Sequence, residues 1–242
     1  MNRKKGIMLS EIPFRNMPVL LKECGFDYFI VDTEHGGFDY SVLSSLMITA
    51  KLCKIQCVVR LPDNSRREVT RMMDMGASGL LLPMTDDAEQ IARVAEFSKY
   101  YPEGKRGIST MRPHTLYHPG NLEEYMHFAN RNTHIFAQIE TLQGVNNLQD
   151  ILDTKGVAGV FIGPNDLACD MGFPEDKKQK IRSEILRIGS ICNANEKFCG
   201  IITSDKDYID AAKEAELTHY CIGSELSLLK QAATATIKLI EE

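Results

Sequence analysis

The stretch Tyr28-Phe29-Ile30-Val31-Asp32-Thr33-Glu34-His35-Gly36-Gly37 decides the architecture. Its apolar run suits a parallel strand buried on both faces, and the abrupt change to charged and small residues marks where that strand ends. The same pattern recurs along the chain. Strands are expected at Gly6–Ser10, Tyr28–Thr33, Gln56–Arg60, Gly79–Pro83, His134–Glu140, Gly159–Gly163, Phe198–Thr203 and His219–Ile222. Segments of helical period lie between them: Tyr40–Leu52, Arg66–Met75, Asp87–Phe97, Val145–Leu152, Lys177–Ala194, Lys206–Glu214 and Glu225–Leu239, several opened by a capping Asp, Ser or Thr. This alternation predicts an α/β chain folded as a (β/α)8 TIM barrel, one domain over residues 1–242. A doubly wound open sheet is the alternative. If it bound a dinucleotide it would need a Gly-rich turn after the first strand, and Ser10-Glu11-Ile12-Pro13 supplies none. The pattern breaks between Ser98 and Asn132, where a long, functional loop is expected around one short helix, Leu122–Asn130.

The composition narrows the function. Of 242 residues 43% are hydrophobic and 25% charged, with 9 prolines, which is ordinary globular usage. Lys and Arg number 28 against 33 Asp and Glu, so the net charge of −5 argues against a nucleic-acid partner. The 7 cysteines form no CxxC pair, which excludes a zinc framework and fits free thiols in a reducing cytoplasm. Met1-Asn2-Arg3-Lys4-Lys5-Gly6 leads into a strand rather than a signal-peptide apolar stretch, and no apolar run approaches the roughly 18 residues of a membrane span. A cytoplasmic, soluble protein with no membrane partner is expected, acting on small molecules.

In a barrel of this kind chemistry sits at the C-terminal ends of the strands, so polar residues there carry weight. Glu140 and Asp166 end neighbouring strands, and two carboxylates that meet over one cation suit magnesium or manganese. Equally, Glu140 can pair with an arginine and Asp166 can cap a short helix. Gln138 lies two residues before Glu140 on the same face, placed to hydrogen-bond substrate or to fill the barrel. Asp32 and His35 are close enough for the acid to hold and polarise the imidazole as a general base, or for both to serve the turn itself. Arg60 can neutralise an enolate or carboxylate oxygen, or pair with Glu34 or Asp32. The backbone from Gly163 to Asp166 opens a helix and can hold a carboxylate. Arg106 and Arg112, in the long loop, are weaker substrate contacts.

These residues resemble the HpcH/HpaI aldolase family of the phosphoenolpyruvate and pyruvate barrel superfamily. The resemblance spans nearly the whole chain. It is carried by Asp32-Thr33-Glu34-His35-Gly36, Val58-Val59-Arg60, Met75-Gly76-Ala77 through Leu82-Pro83-Met84, Pro102-Glu103-Gly104-Lys105-Arg106-Gly107, Gln138-Ile139-Glu140-Thr141, Phe161-Ile162-Gly163-Pro164-Asn165-Asp166-Leu167 and Gly223-Ser224-Glu225. It implies a metal-dependent, class II aldolase that cleaves a 4-hydroxy-2-oxo acid to pyruvate, or a close relative, and an aldehyde. By resemblance Glu140 and Asp166 hold Mg2+ or Mn2+, while Gln138, Arg60, Gly163, Pro164 and Asn165 contact the oxoacid. Asp32 with His35 forms the proton-transfer dyad, and the cation with Arg60 stabilises the enolate. It also implies a homo-oligomer, commonly a hexamer, whose last helix packs on a neighbouring subunit.

Asn165-Asp166-Leu167-Ala168 replaces a usual Ala-Asp-Leu-Ser and Gly223-Ser224-Glu225 replaces Gly-x-Asp, changes that leave the expected metal ligands in place, while Asn165 and Met111-Arg112-Pro113-His114, in place of a more usual Arg-Ala, bear on donor and aldehyde specificity. No predicted strand ends in lysine, which disfavours a Schiff-base aldolase. The alternatives are a CoA-ester lyase of the same superfamily and a non-catalytic oxoacid-binding barrel.

Overall fold

The computed structural model describes residues 3–241. Eight parallel strands close in sequence order, each pairing with the next and β8 with β1. The order is β1 (Lys4–Leu9), α1 (Met17–Glu23), β2 (Tyr28–Asp32), α2 (Tyr40–Cys53), β3 (Gln56–Arg60), α3 (Arg66–Met75), β4 (Gly79–Leu82) and α4 (Ala88–Ser98). A 3-10 turn at Pro113–Thr115 and α5 (Leu122–Asn132) precede β5 (His134–Ile139), α6 (Leu142–Asn146), α7 (Leu148–Asp153), β6 (Val157–Ile162) and α8 (Pro164–Asp170). The chain ends in α9 (Lys177–Ala194), β7 (Phe198–Ile202), α10 (Lys206–Glu214), β8 (His219–Ser224) and α11 (Glu225–Glu241).

Strand parity fixes which side chains reach the mouth. Phe29 and Val31 face the helices in the outer core, whereas Tyr28 and Ile30 join Val58, Phe136 and Phe161 inside the barrel. Because the side-chain period is two, Asp32, Arg60, Gln138 and Glu140 continue those inward rows to the C-terminal rim. Register then sets the neighbours. Asp32 lies opposite Arg60, and Ile139 opposite Ile162, so Glu140 and Gly163 follow side by side.

The expected caps are present: the Asp39 carboxylate accepts from the Ser41 and Val42 amides, and Asp87 with Gln90 forms a reciprocal capping box. Other details differ from the sequence reading. The helix expected over Val145–Leu152 is two helices broken at Asn147, and the helix following β1 is α1, opened by Asn16 with Pro18 in its first turn.

The long loop does more than connect. Arg106 is buried, donates to Asp74 of α3 at 2.8 Å and lies over the Tyr100 ring, while the His114 ring bonds the Tyr125 hydroxyl. Arg106 therefore fastens the loop to α3 and is not the substrate contact weighed from the sequence. Arg112 bonds Ser109 within the loop.

The first turn of α11 packs on β8 and β1, but Leu229, Ile237, Leu239 and Ile240 are exposed. The apolar face of α11 is not docked on its own barrel.

Candidate active site

At the ends of β5 and β6 three side chains converge. Glu140 is buried; its Oε2 accepts from the Met84 amide at 2.9 Å and its Oε1 from Gln138 Nε2. Asp166, in the first turn of α8, brings a second carboxylate close enough for its charge to act on Glu140. Burial, followed by the Asp166 charge, pushes the Glu140 carboxyl up to about 7, against the opposing pull of the Met84 amide and of Arg60. Two carboxylates forced together in this way share a proton or a cation. The donor set fits a divalent ion with two protein ligands, the remaining positions being left for water and substrate oxygens. Among the described residues no cluster of three or more His, Cys, Asp or Glu competes for that role. The Oε1 of Gln138 is buried and without a partner, an acceptor waiting for a hydroxyl or water proton.

The backbone beside this pair is less open than the sequence implied. The Gly163 amide already donates to the Ile139 carbonyl at 3.1 Å and Pro164 has no N–H, so Asn165 and Asp166 supply the outward amides of this turn. The Asn165 side chain is exposed.

Across the mouth, Asp32 and Arg60 form a two-pronged pair, Nε to Oδ1 at 3.0 Å and Nη2 to Oδ2 at 2.6 Å, with both side chains nearly buried. Glu34 approaches Arg60 Nη1 at 3.4 Å. Burial raises the Asp32 carboxyl, but the Arg60 bonds and the loop amides outweigh it and hold the group below its ordinary value. The Asp32 Oδ1 also accepts from the Glu34 and His35 amides at 3.0 and 3.2 Å.

This corrects one expectation. Asp32 reaches His35 through its backbone, not its ring: the imidazole is exposed and its nearest acid is Glu34, 3.7 Å from Nε2. A carboxylate at a strand end is drawn to the amides two and three residues on, and the guanidinium takes its remaining lone pairs. The residue that sequence reasoning did not assign is Glu225, whose buried carboxylate binds the loop after β1.

A family model, HpcH/HpaI aldolase/citrate lyase, matches residues 16–229. The chain belongs to the HpcH/HpaI family. It is 31% identical over 209 residues to the 5-keto-4-deoxy-D-glucarate aldolase of Citrobacter koseri, covering 86% of this chain and 80% of that one. The corresponding enzyme of Klebsiella pneumoniae is 32% identical over 209 residues, with 86% and 81% covered. Among solved structures, an HpcH/HpaI aldolase from Desulfitobacterium hafniense superposes with a TM-score of 0.93 at 27% identity, covering 100% of this chain and 93% of the other. Protein CitE of Mycobacterium tuberculosis, solved with magnesium and pyruvate, shares the fold at a TM-score of 0.54 and 14% identity over 91% of this chain and 85% of its own. The chain is thus a carbon–carbon lyase of the aldolase type, acting on small molecules. Among the described residues no helix is long and apolar enough to cross a membrane.

Proposed function

We propose that the substrate is a 4-hydroxy-2-oxo acid of the keto-deoxy sugar-acid class, cleaved between C3 and C4 to pyruvate and a hydroxyaldehyde. The substrate named for the curated relatives supports this reading: numbered from its oxo end, a 5-keto-4-deoxyglucarate has an oxo group at C2, a methylene at C3 and a hydroxyl at C4. The observation that carries the proposal is the Glu140–Asp166 pair facing the Asp32-braced Arg60 across one mouth.

Glu140 and Asp166 would hold Mg2+ or Mn2+, which, when bound, polarises the oxoacid and favours enolate formation. Gln138 and the amides of Asn165 and Asp166 orient the oxoacid, with Gly163 and Pro164 shaping the turn beneath it. Arg60 stays charged in its pocket because Asp32 braces it, and it offers Nη1 to the developing enolate oxygen. His35 takes the C4 hydroxyl proton as the C3–C4 bond breaks, and the aldehyde leaves. C3 then takes up a proton to become the pyruvate methyl.

Free cysteines throughout the described chain support a cytoplasmic location, and the exposed apolar face of α11 supports a homo-oligomer, a hexamer by family resemblance. The deciding experiment is Mn2+ titration by electron paramagnetic resonance with coupled pyruvate detection. Glu140→Ala and Asp166→Ala should lose both binding and cleavage. Cleavage that survives exhaustive chelation would overturn the metal assignment.

A further inference from the structure

Glu225 opens α11 just past the end of β8 and is 5% exposed. Its Oε1 accepts three consecutive backbone amides, from Ser10 at 2.7 Å, Glu11 at 2.7 Å and Ile12 at 3.2 Å. Those amides belong to the connection between β1 and α1. That connection in turn touches the segment carrying His35: the Gly37 amide donates to the Ser10 carbonyl at 2.9 Å. The fit there is close, since a Cβ on Gly36 would lie 2.8 Å from the Ser10 carbonyl oxygen and 2.2 Å from that of Asp32.

We propose that Glu225 is a positioning residue for His35. Its carboxylate fixes Ser10–Ile12, and the Ser10 carbonyl fixes the Gly36–Gly37 turn from which the imidazole projects. Because the ring is exposed, its place is set by backbone rather than by packing. Asp32 anchors that backbone from one side, at the Glu34 and His35 amides, and Glu225 anchors it from the other through Ser10. Three backbone donors converge on that one oxygen. The second oxygen, Oε2, is buried and makes no hydrogen bond to protein.

The inference rests on His35 acting as the base, and the experiment separates the two ideas. In Glu225→Ala, kcat for cleavage should fall by about 10²-fold, as for a catalytic group displaced by about 1 Å. KM should stay within a factor of about two, because the oxoacid contacts lie on the β5–β6 side. Glu225→Gln keeps one acceptor oxygen and should fall between wild type and Ala; it also serves if Ala does not fold. Combined with His35→Ala, neither Glu225 variant should reduce kcat further, and amide exchange over residues 33–37 should quicken in both. Additive losses in the double variants, a KM effect as large as the kcat effect, or unchanged exchange would each overturn the positioning role. If His35→Ala kept wild-type kcat, the base assignment would fall, and the exchange data alone would still decide whether Glu225 holds the turn.

Discussion

Gly163 stands where the two halves of the candidate cation site meet, and adding one methyl there tests the site sterically without removing a ligand. A Cβ at this position would lie 2.6 Å from Glu140 Oε1 and 2.7 Å from its Cγ. The backbone does not object, since φ is −103°, a value open to any L-residue. The penalty is therefore contact alone. Opening 2.6 Å even to 3.0 Å requires a movement of about 0.4 Å, and the crowded Cγ prevents a simple rotation of the carboxylate tip. Glu140 is also tied by Met84 and Gln138, so the shift must pass into the carboxylate pair itself. Overpacking of this size costs about 1–3 kcal/mol of stability, and displacement of a catalytic group by a fraction of an ångström costs on the order of tenfold or more in rate. Gly163→Ala should therefore fold, melt a few degrees lower, bind Mn2+ at least about tenfold more weakly and lose cleavage in proportion. Calorimetric Mn2+ titration and steady-state cleavage on one preparation measure both. Wild-type affinity with wild-type kcat would refute the placement of the cation between Glu140 and Asp166.

Arg60→Lys should lower kcat/KM by about 10²-fold, because an ammonium cannot keep both prongs on Asp32 and still offer a third nitrogen; near-normal kinetics would reduce Arg60 to a structural ion pair. His35→Ala should cost cleavage roughly 10²-fold while leaving the melting temperature unchanged, and full activity would remove it from proton transfer. The metal-free protein should lose stability as pH rises. The folded Glu140 carboxyl titrates at about 7 against an ordinary 4.5, so its contribution is complete below 4.5 and is lost as pH climbs toward 7. Melting curves across that window should flatten in Glu140→Gln or on adding Mn2+, and an unchanged slope in both would place the titration elsewhere.

The barrel was legible because parallel buried strands leave an apolar signature that needs no partner to be read, as in Tyr28–Val31. The inward row ending in Gln138 and Glu140 was legible for the same reason, since parity is a local property. Pairing was not. In sequence Asp32 has Glu34, His35 and Arg60 within reach, and the choice among them depends on the β2–β3 register, which sets Asp32 opposite Arg60. Glu225 was hidden more deeply, because its partners are backbone amides 213 to 215 residues away that carry no side-chain signature. The helix break at Asn147 had a signal that went unread, the Asn146-Asn147 pair, two residues that favour turns and caps.

The charges at the mouth bear on the proposed cation. Asp32, Glu34 and Glu140 act on Arg60, whose guanidinium is already bound to Asp32 and approached by Glu34, and Asp166 adds its charge beside Glu140. A sugar acid with a carboxylate at each end would meet a surplus of negative charge, and like charges at such spacing repel strongly where water is scarce. Protonating Glu140 relieves part of the surplus, which is the direction its pKa takes. A divalent ion held by Glu140 and Asp166, as proposed, would relieve more of it. Arg60 alone cannot do this: Asp32 holds two of its nitrogens, which suits the proposed role of a fixed, directed donor for charge that develops during cleavage. On the proposed reading, attraction of the ground-state anion falls to the β5–β6 side of the barrel, and stabilisation of the changing charge to the β2–β3 side.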